Sequence, residues 1–104
     1  MTGTHDDTAV VAKRVDSGEA DTEEIRDLAR AAGYSVAAEV TQTRTEDPAT
    51  CLGEGKAEEL ARVVEATEAR TVLFDNRLGP YQTFNLGNIL PDGVELMDRF
   101  RQIL

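Results

Sequence analysis

Short apolar runs alternate with helical stripes along this chain, and the alternation predicts its elements. Ala9-Val10-Val11-Ala12-Lys13-Arg14-Val15 is a β-branched run ended by Asp16-Ser17-Gly18, the pattern of a first strand. Ile25, Leu28, Ala29 and Ala32 then recur at helical spacing, with Asp21 or Thr22 as cap, Glu24 placed for a capping box with Asp21, and Gly33 as the stop. Tyr34 to Thr43 reads as a second strand leaving the core. Residues 44–50 are charged, contain Pro48 and lack a period, which predicts a surface loop. Ala57, Leu60, Ala61 and Val64 mark a second helix from Ala57, with Glu58 and Arg62 spaced for an ion pair. Thr71-Val72-Leu73-Phe74 has the profile of a strand buried on both faces. Pro80 suits the first turn of a third helix running to about Leu90, which Pro91-Asp92-Gly93 closes before a fourth strand over 94–97.

The order β-α-β-α-β-α-β predicts an α/β fold with a four-stranded parallel sheet flanked by helices. Ligand sites in such sheets lie beyond the carboxyl ends of the strands. The segments from Pro48 to Lys56 and from Asp75 to Gly79 both follow strands there. Residues 1–8 are small, polar and aperiodic and read as a disordered leader before a single domain over 9–104. From Asp98 a helical pattern resumes and stops at Leu104, as it would in a piece of a longer protein.

Composition narrows the function. The net charge of −9 argues against a general affinity for nucleic acid, so any phosphate contact must be local. Only Lys13 and Lys56 are lysines, and the carboxylates spread over every predicted helix, a pattern suited to solubility at high salt in a halophilic archaeon. Nothing approaches about 18 uninterrupted apolar residues and no secretory signal opens the chain, which points to a cytoplasmic protein with no membrane span. The single cysteine, Cys51, and the single histidine, His5, provide neither a zinc cluster nor a nucleophile with its base, so no catalytic or metal-binding residue is expected.

The candidate chemistry centres on Cys51-Leu52-Gly53-Glu54-Gly55-Lys56-Ala57, where two glycines and a lysine run into a helix. Gly53 and Gly55 permit positive φ or a close approach, and the free N–H groups of the helix offer themselves to an anion. A Walker A loop is excluded because Thr50 stands where its first glycine belongs and Ala57 replaces the magnesium-binding hydroxyl. A dinucleotide fingerprint is excluded because Glu58 occupies the place of its third glycine. Lys56 beside a phosphate, of RNA or of a nucleotide, competes with an ordinary first-turn lysine, and Glu54, Glu58 and Glu59 oppose the phosphate. Asp75 and Asn76 could contact a ligand, though Asx residues ending a strand more often satisfy loop N–H groups. Gln82 and Asn85 are expected at the core edge, bonding to a neighbouring loop, and Asp98 and Arg99 in an ion pair. Cys51 would be reactive if the helix terminus lowered its pKa.

In order and spacing, Gly53-Glu54-Gly55-Lys56-Ala57-Glu58-Glu59-Leu60, Phe74-Asp75-Asn76-Arg77-Leu78-Gly79-Pro80-Tyr81-Gln82 with Asn85-Leu86, and Val94 with Asp98-Arg99 resemble the N-terminal domain of the HflX family of translational GTPases. The likeness extends from Ile25 to Arg99 and takes in Thr43 and Arg44. Arg77 stands where the family usually has an acidic residue, Gly79 where it has Ser or Thr, and Phe84 where it has a basic or polar one. The resemblance implies a domain that helps bind the large ribosomal subunit and its rRNA, with GTP, Mg2+ and hydrolysis assigned to a C-terminal GTPase domain absent from this chain. Arg44, Gly53, Gly55, Lys56, Asp75 and Asn76 are then the candidate RNA- or nucleotide-binding residues. Two alternatives stand beside it: an ATP-binding domain using the Gly53 to Lys56 turn, and a module that forms a homodimer through a sheet edge or the Phe84 to Leu90 helix.

Overall fold

The computed structural model describes residues 7–100. Four strands and three helices alternate: β1 (Thr8–Val15), α1 (Glu23–Ala31), β2 (Ser35–Thr43), α2 (Glu54–Thr67), β3 (Thr71–Phe74), α3 (Pro80–Ile89) and β4 (Glu95–Asp98). All strand pairs are parallel and the sheet order is β2-β1-β3-β4. Residues 1–6 of the expected leader and residues 101–104 of the expected last helix lie outside the described residues, but Thr8 already pairs as the first residue of β1 and Asp98 ends β4 instead of starting a helix.

Burial decides which strands are central. Alternate side chains of β1 enter two separate cores, Ala9 and Val11 on one face and Val10 and Ala12 on the other, so this strand has no solvent side. β3 is likewise buried at all four positions. β2 alternates polar and apolar residues at one edge, and short β4 closes the other. The chain steps from β1 outward to β2 and then back across β1 to β3. With right-handed connections this reversal puts α1 on one face and α2 and α3 on the opposite one. Ile25 and Ala29 of α1 meet Val11 and Leu73, while Leu60, Val64, Leu86 and Leu90 meet Val10, Val72 and Phe74.

The helix ends correct several expectations. Thr22 is the N-cap residue of α1 but makes no capping bond; its hydroxyl donates to Glu39 and accepts from Arg26 Nε, while Asp21 Oδ1 accepts from the Glu23 N–H at 2.9 Å. Gly33 does end the helix at a φ of +98°. α2 begins at Glu54 instead of Ala57, because Leu52 plunges into the core and the chain turns helical as soon as it emerges. Glu58 and Arg62 form no ion pair among the described residues; Lys56 and Glu59 do, at 3.0 Å. Pro80 opens α3 as expected, and Gly79 is its N-cap.

Candidate functional site

The order of the strands makes the carboxyl ends of β1 and β3 the point where successive connections diverge, the place such sheets leave a crevice. Here the crevice is bridged by side chains. Asn76 Oδ1 accepts from the Arg14 N–H at 2.7 Å and its Nδ2 donates to the Arg14 carbonyl at 2.8 Å, extending the β1–β3 ladder beyond Phe74. Asn76 thus serves backbone groups with both ends of its amide.

Asp75 points to the α1 face by the alternation of β3. Its buried carboxylate lies 3.1 Å from Lys13 Nζ and 3.0 Å from Arg99 Nη1, and Arg99 also reaches Glu24 of α1 at 3.1 Å. The Arg99 bond holds Glu24 below the usual carboxylate pKa. Arg99 therefore joins an ion-pair network, but Asp98 is not its partner. Asp98 faces α3, where Oδ2 accepts from the Leu78 N–H and Oδ1 from the Phe100 N–H, pinning the β3–α3 loop and the end of β4.

The glycine turn lies on the other face. Asp47 and Cys51 exchange both backbone hydrogen bonds, at 3.0 and 2.8 Å, closing a five-residue loop. Asp47 Oδ1 accepts from the Ala49 and Thr50 N–H groups inside it. The Ala49 bond is the main reason that the Asp47 pKa falls below its ordinary value. Cys51 takes the left-handed conformation, at a φ of +68°, that the sequence suggested for the glycines. Neither Gly53 nor Gly55 has positive φ; Gly53 is extended and Gly55 is helical. Gly53 answers a different need. A Cβ there would run into Arg44 Nη1 and crowd Gln42 Nε2, so the missing side chain lets Arg44 lie across the amino end of α2. Gly55 faces open space and nothing in the structure requires a glycine at that position.

Two observations limit what this turn can hold. The Gly53 N–H is given to Gln42 Oε1 at 2.8 Å, and Lys56 is turned along the helix to Glu59. Arg44 remains: it is exposed and takes part in no side-chain hydrogen bond or ion pair among the described residues. Its carbonyl accepts from Arg14 Nη1 at 2.8 Å, and Arg14 also pairs with Asp16. Arg14 is not among the candidates that the motifs single out, although a cation at the carboxyl end of an apolar strand run is a usable signal. Its side chain is only 10% exposed, and its Nε is buried with no hydrogen-bond partner. Cys51 beside it is a weak acceptor. Burial pushes the Cys51 thiol up, with Arg14 opposing, so the helix terminus does not activate it. The rim thus divides into a closed network on the α1 face, with Asp75, and an Arg14–Arg44–Gly53 corner on the α2 face, joined through Asn76.

The model of a family described as GTP-binding GTPase N-terminal matches residues 19–104. The chain belongs to the HflX N-terminal domain family. Among curated proteins it is 46% identical over 83 residues to the GTPase HflX of Thermofilum pendens, covering 79% of this chain and 19% of that protein. It is 43% identical over 81 residues to the GTPase HflX of Thermococcus kodakarensis, covering 78% and 18%. The Escherichia coli GTPase HflX is 42% identical over 67 residues, covering 64% and 16%. The chain therefore spans about a fifth of the length of these relatives.

The family match begins at Glu19, after β1, although β1 is the strand that carries Lys13 and Arg14 into the rim. In this HflX N-terminal domain the Pro-Tyr-Gln-x-x-Asn run of α3 has a structural use. Gln82 Oε1 accepts from the Gly79 N–H at 3.0 Å, its Nε2 donates to Glu46 at 2.6 Å and to the Asp47 carbonyl at 3.0 Å, and Asn85 Nδ2 donates to the Ala49 carbonyl at 2.9 Å. Both amides tie α3 to the closed loop, as their spacing predicted. Arg77 and Arg99 lie on the Phe100 ring at 5.3 and 5.2 Å. Among the described residues no cluster of His, Cys, Asp and Glu could hold a metal ion, and no helix is long and apolar enough to cross a membrane.

Proposed function

We propose that this chain is the leading domain of an HflX-type GTP-dependent factor and that it contributes to binding the large ribosomal subunit through local contacts to rRNA phosphates. GTP and Mg2+ are then held, and GTP hydrolysed, by a GTPase domain elsewhere in the whole protein. The whole-protein reading rests on relatives that are GTPases about five times as long as the matched region. The geometric support is Arg44. In a chain of net charge −9, its guanidinium lies across Gly53 at the positive end of α2 and, among the described residues, is held in no salt bridge, with the nearby field of Asp47 acting on it. A phosphate at that corner would meet a cation and the first-turn amides together.

Co-sedimentation with purified large subunits tests this. The chain should pellet with the subunits, and Arg44→Ala should weaken binding more than Lys56→Ala, because Lys56 must first leave Glu59. Absence of pelleting at low salt, or an Arg44→Ala variant that binds as the parent does, refutes the reading. ATP at the glycine turn has less behind it, since Gln42 and Glu59 already hold the groups a nucleotide would use. A rise in melting temperature with millimolar ATP that Lys56→Ala abolishes would reverse that order.

A further inference from the structure

α3 is unlike the other helices. No residue of Pro80–Ile89 is charged, whereas α1 and α2 carry acids and bases throughout, yet α3 presents Tyr81 and Phe84 to solvent at 66% exposure each. Solvated helices in so acidic a chain have no need of this, and exposed aromatic side chains on one helix face mark contact surfaces. Beside them a groove of about 480 Å3 runs between α3 and the 47–54 segment. Ala49, Tyr81 and Ile89 give it apolar walls, Asn85 and Asn88 its amides, and Asp47 and Glu54 its charge.

The charge selects the occupant. No cation lines the groove, and among the described residues neither Asp47 nor Glu54 has an ion-pair partner. The loop amides, first that of Ala49, and more weakly the field of Arg44 outside the groove, hold the Asp47 pKa below its ordinary value. An RNA phosphate would be repelled here, and a second copy in a two-fold contact would bring the same carboxylates against these. The walls nevertheless want apolar side chains. We propose that the groove is a docking site for a basic amphipathic polypeptide segment, which seats an apolar side chain against Ala49, Tyr81 and Ile89 and its cations beside Asp47 and Glu54. Asn85 is already committed to the Ala49 carbonyl, so Asn88 is the amide that meets the segment's backbone. The groove adjoins the Arg44 corner at Asp47 but does not include Arg44 itself, and its failure would leave the subunit-binding proposal standing.

The test is an amide chemical-shift titration of the isotope-labelled chain with a synthetic Leu/Lys amphipathic helix peptide and with its Leu/Glu counterpart. The basic peptide should shift Ala49, Thr50, Asn85, Asn88 and Ile89, and the acidic peptide should not. Tyr81→Ser and Glu54→Lys, both at exposed positions, should each weaken the basic peptide by about tenfold, the loss of a central anchor or a paired charge. Glu65→Lys, at the far end of α2, should leave it unchanged. Four results overturn the proposal: no shift at these residues up to millimolar peptide, an equal effect of Glu65→Lys that would betray diffuse attraction to an acidic chain, equal binding of the acidic peptide, or the same shifts produced by an RNA oligonucleotide. Concentration-dependent dimer formation that shifts the same amides without peptide would also overturn it, in favour of a second copy.

Discussion

Replacing Gln82 by alanine removes one side chain and frees three hydrogen-bonding groups. Gln82 is 6% exposed, and its amide closes the amino end of α3 through Gly79 while holding Glu46 and the Asp47 carbonyl. Each neutral bond is worth about 1 kcal/mol net, and the one to Glu46 is held to a similar value because that carboxylate is exposed to water. The sum is about 3 kcal/mol, with the Asp47 carbonyl left short of a donor. For a urea slope of about 1.5 kcal/mol/M, the unfolding midpoint should fall by about 2 M. Gln82→Glu is the sharper probe. It keeps the acceptor for Gly79 but sets a carboxylate against Glu46 and the Asp47 carbonyl, so at pH 7 it should destabilise more than alanine. The new carboxyl's folded pKa is raised by that environment. The destabilisation relative to the parent should therefore shrink as pH falls through the folded value toward about 4.3, the unfolded value, where the carboxyl becomes a donor. A midpoint shift under about 0.5 M for Gln82→Ala, or a Gln82→Glu deficit that does not change with pH, would refute the assignment of Gln82 as the tie between α3 and the closed loop.

Asp47 and Glu24 have folded pKa values lowered by the Ala49 N–H and by Arg99 respectively, so the stability they contribute is present above their unfolded values, about 3.9 and 4.3, and lost as pH falls through the lower folded ones. Melting curves between pH 6 and 2 should show that loss, and Asp47→Asn should flatten the acid limb; an unchanged limb counts against the loop account. Cys51 is 1% exposed with its thiol pKa raised, so iodoacetamide at pH 8 should modify it much more slowly than in the urea-unfolded chain. Equal rates would mean that the 47–51 loop opens freely.

The element order was legible because each element carries its own period: alternating or continuous apolar runs for β1 and β3, helical stripes for α1 and α2, and Pro80 and Gly33 as punctuation. The structural use of Gln82 and Asn85 was legible for the same reason, since their spacing placed them at the core edge. Residue chemistry near Gly53 was less so. The sequence named a permissive glycine, but the positive φ went to Cys51, because closure of the loop by Asp47 fixes which residue must turn left-handed, and that closure is a pairing between residues, not a property of any one.

What the sequence determined by itself was therefore local: which residues are helical, which are extended, where they stop, and that four strands alternating with three helices must run parallel. Strand order lay beyond it. Periodicity records burial but not which neighbour does the burying, and only the order β2-β1-β3-β4 shows that Asp75 and the glycine turn occupy opposite faces of the sheet. That same order brings Arg14, 30 residues away in the chain, against Arg44. Ion pairs and buried charges depend on distances of a few ångströms between remote segments, and those distances exist only once the chain has folded.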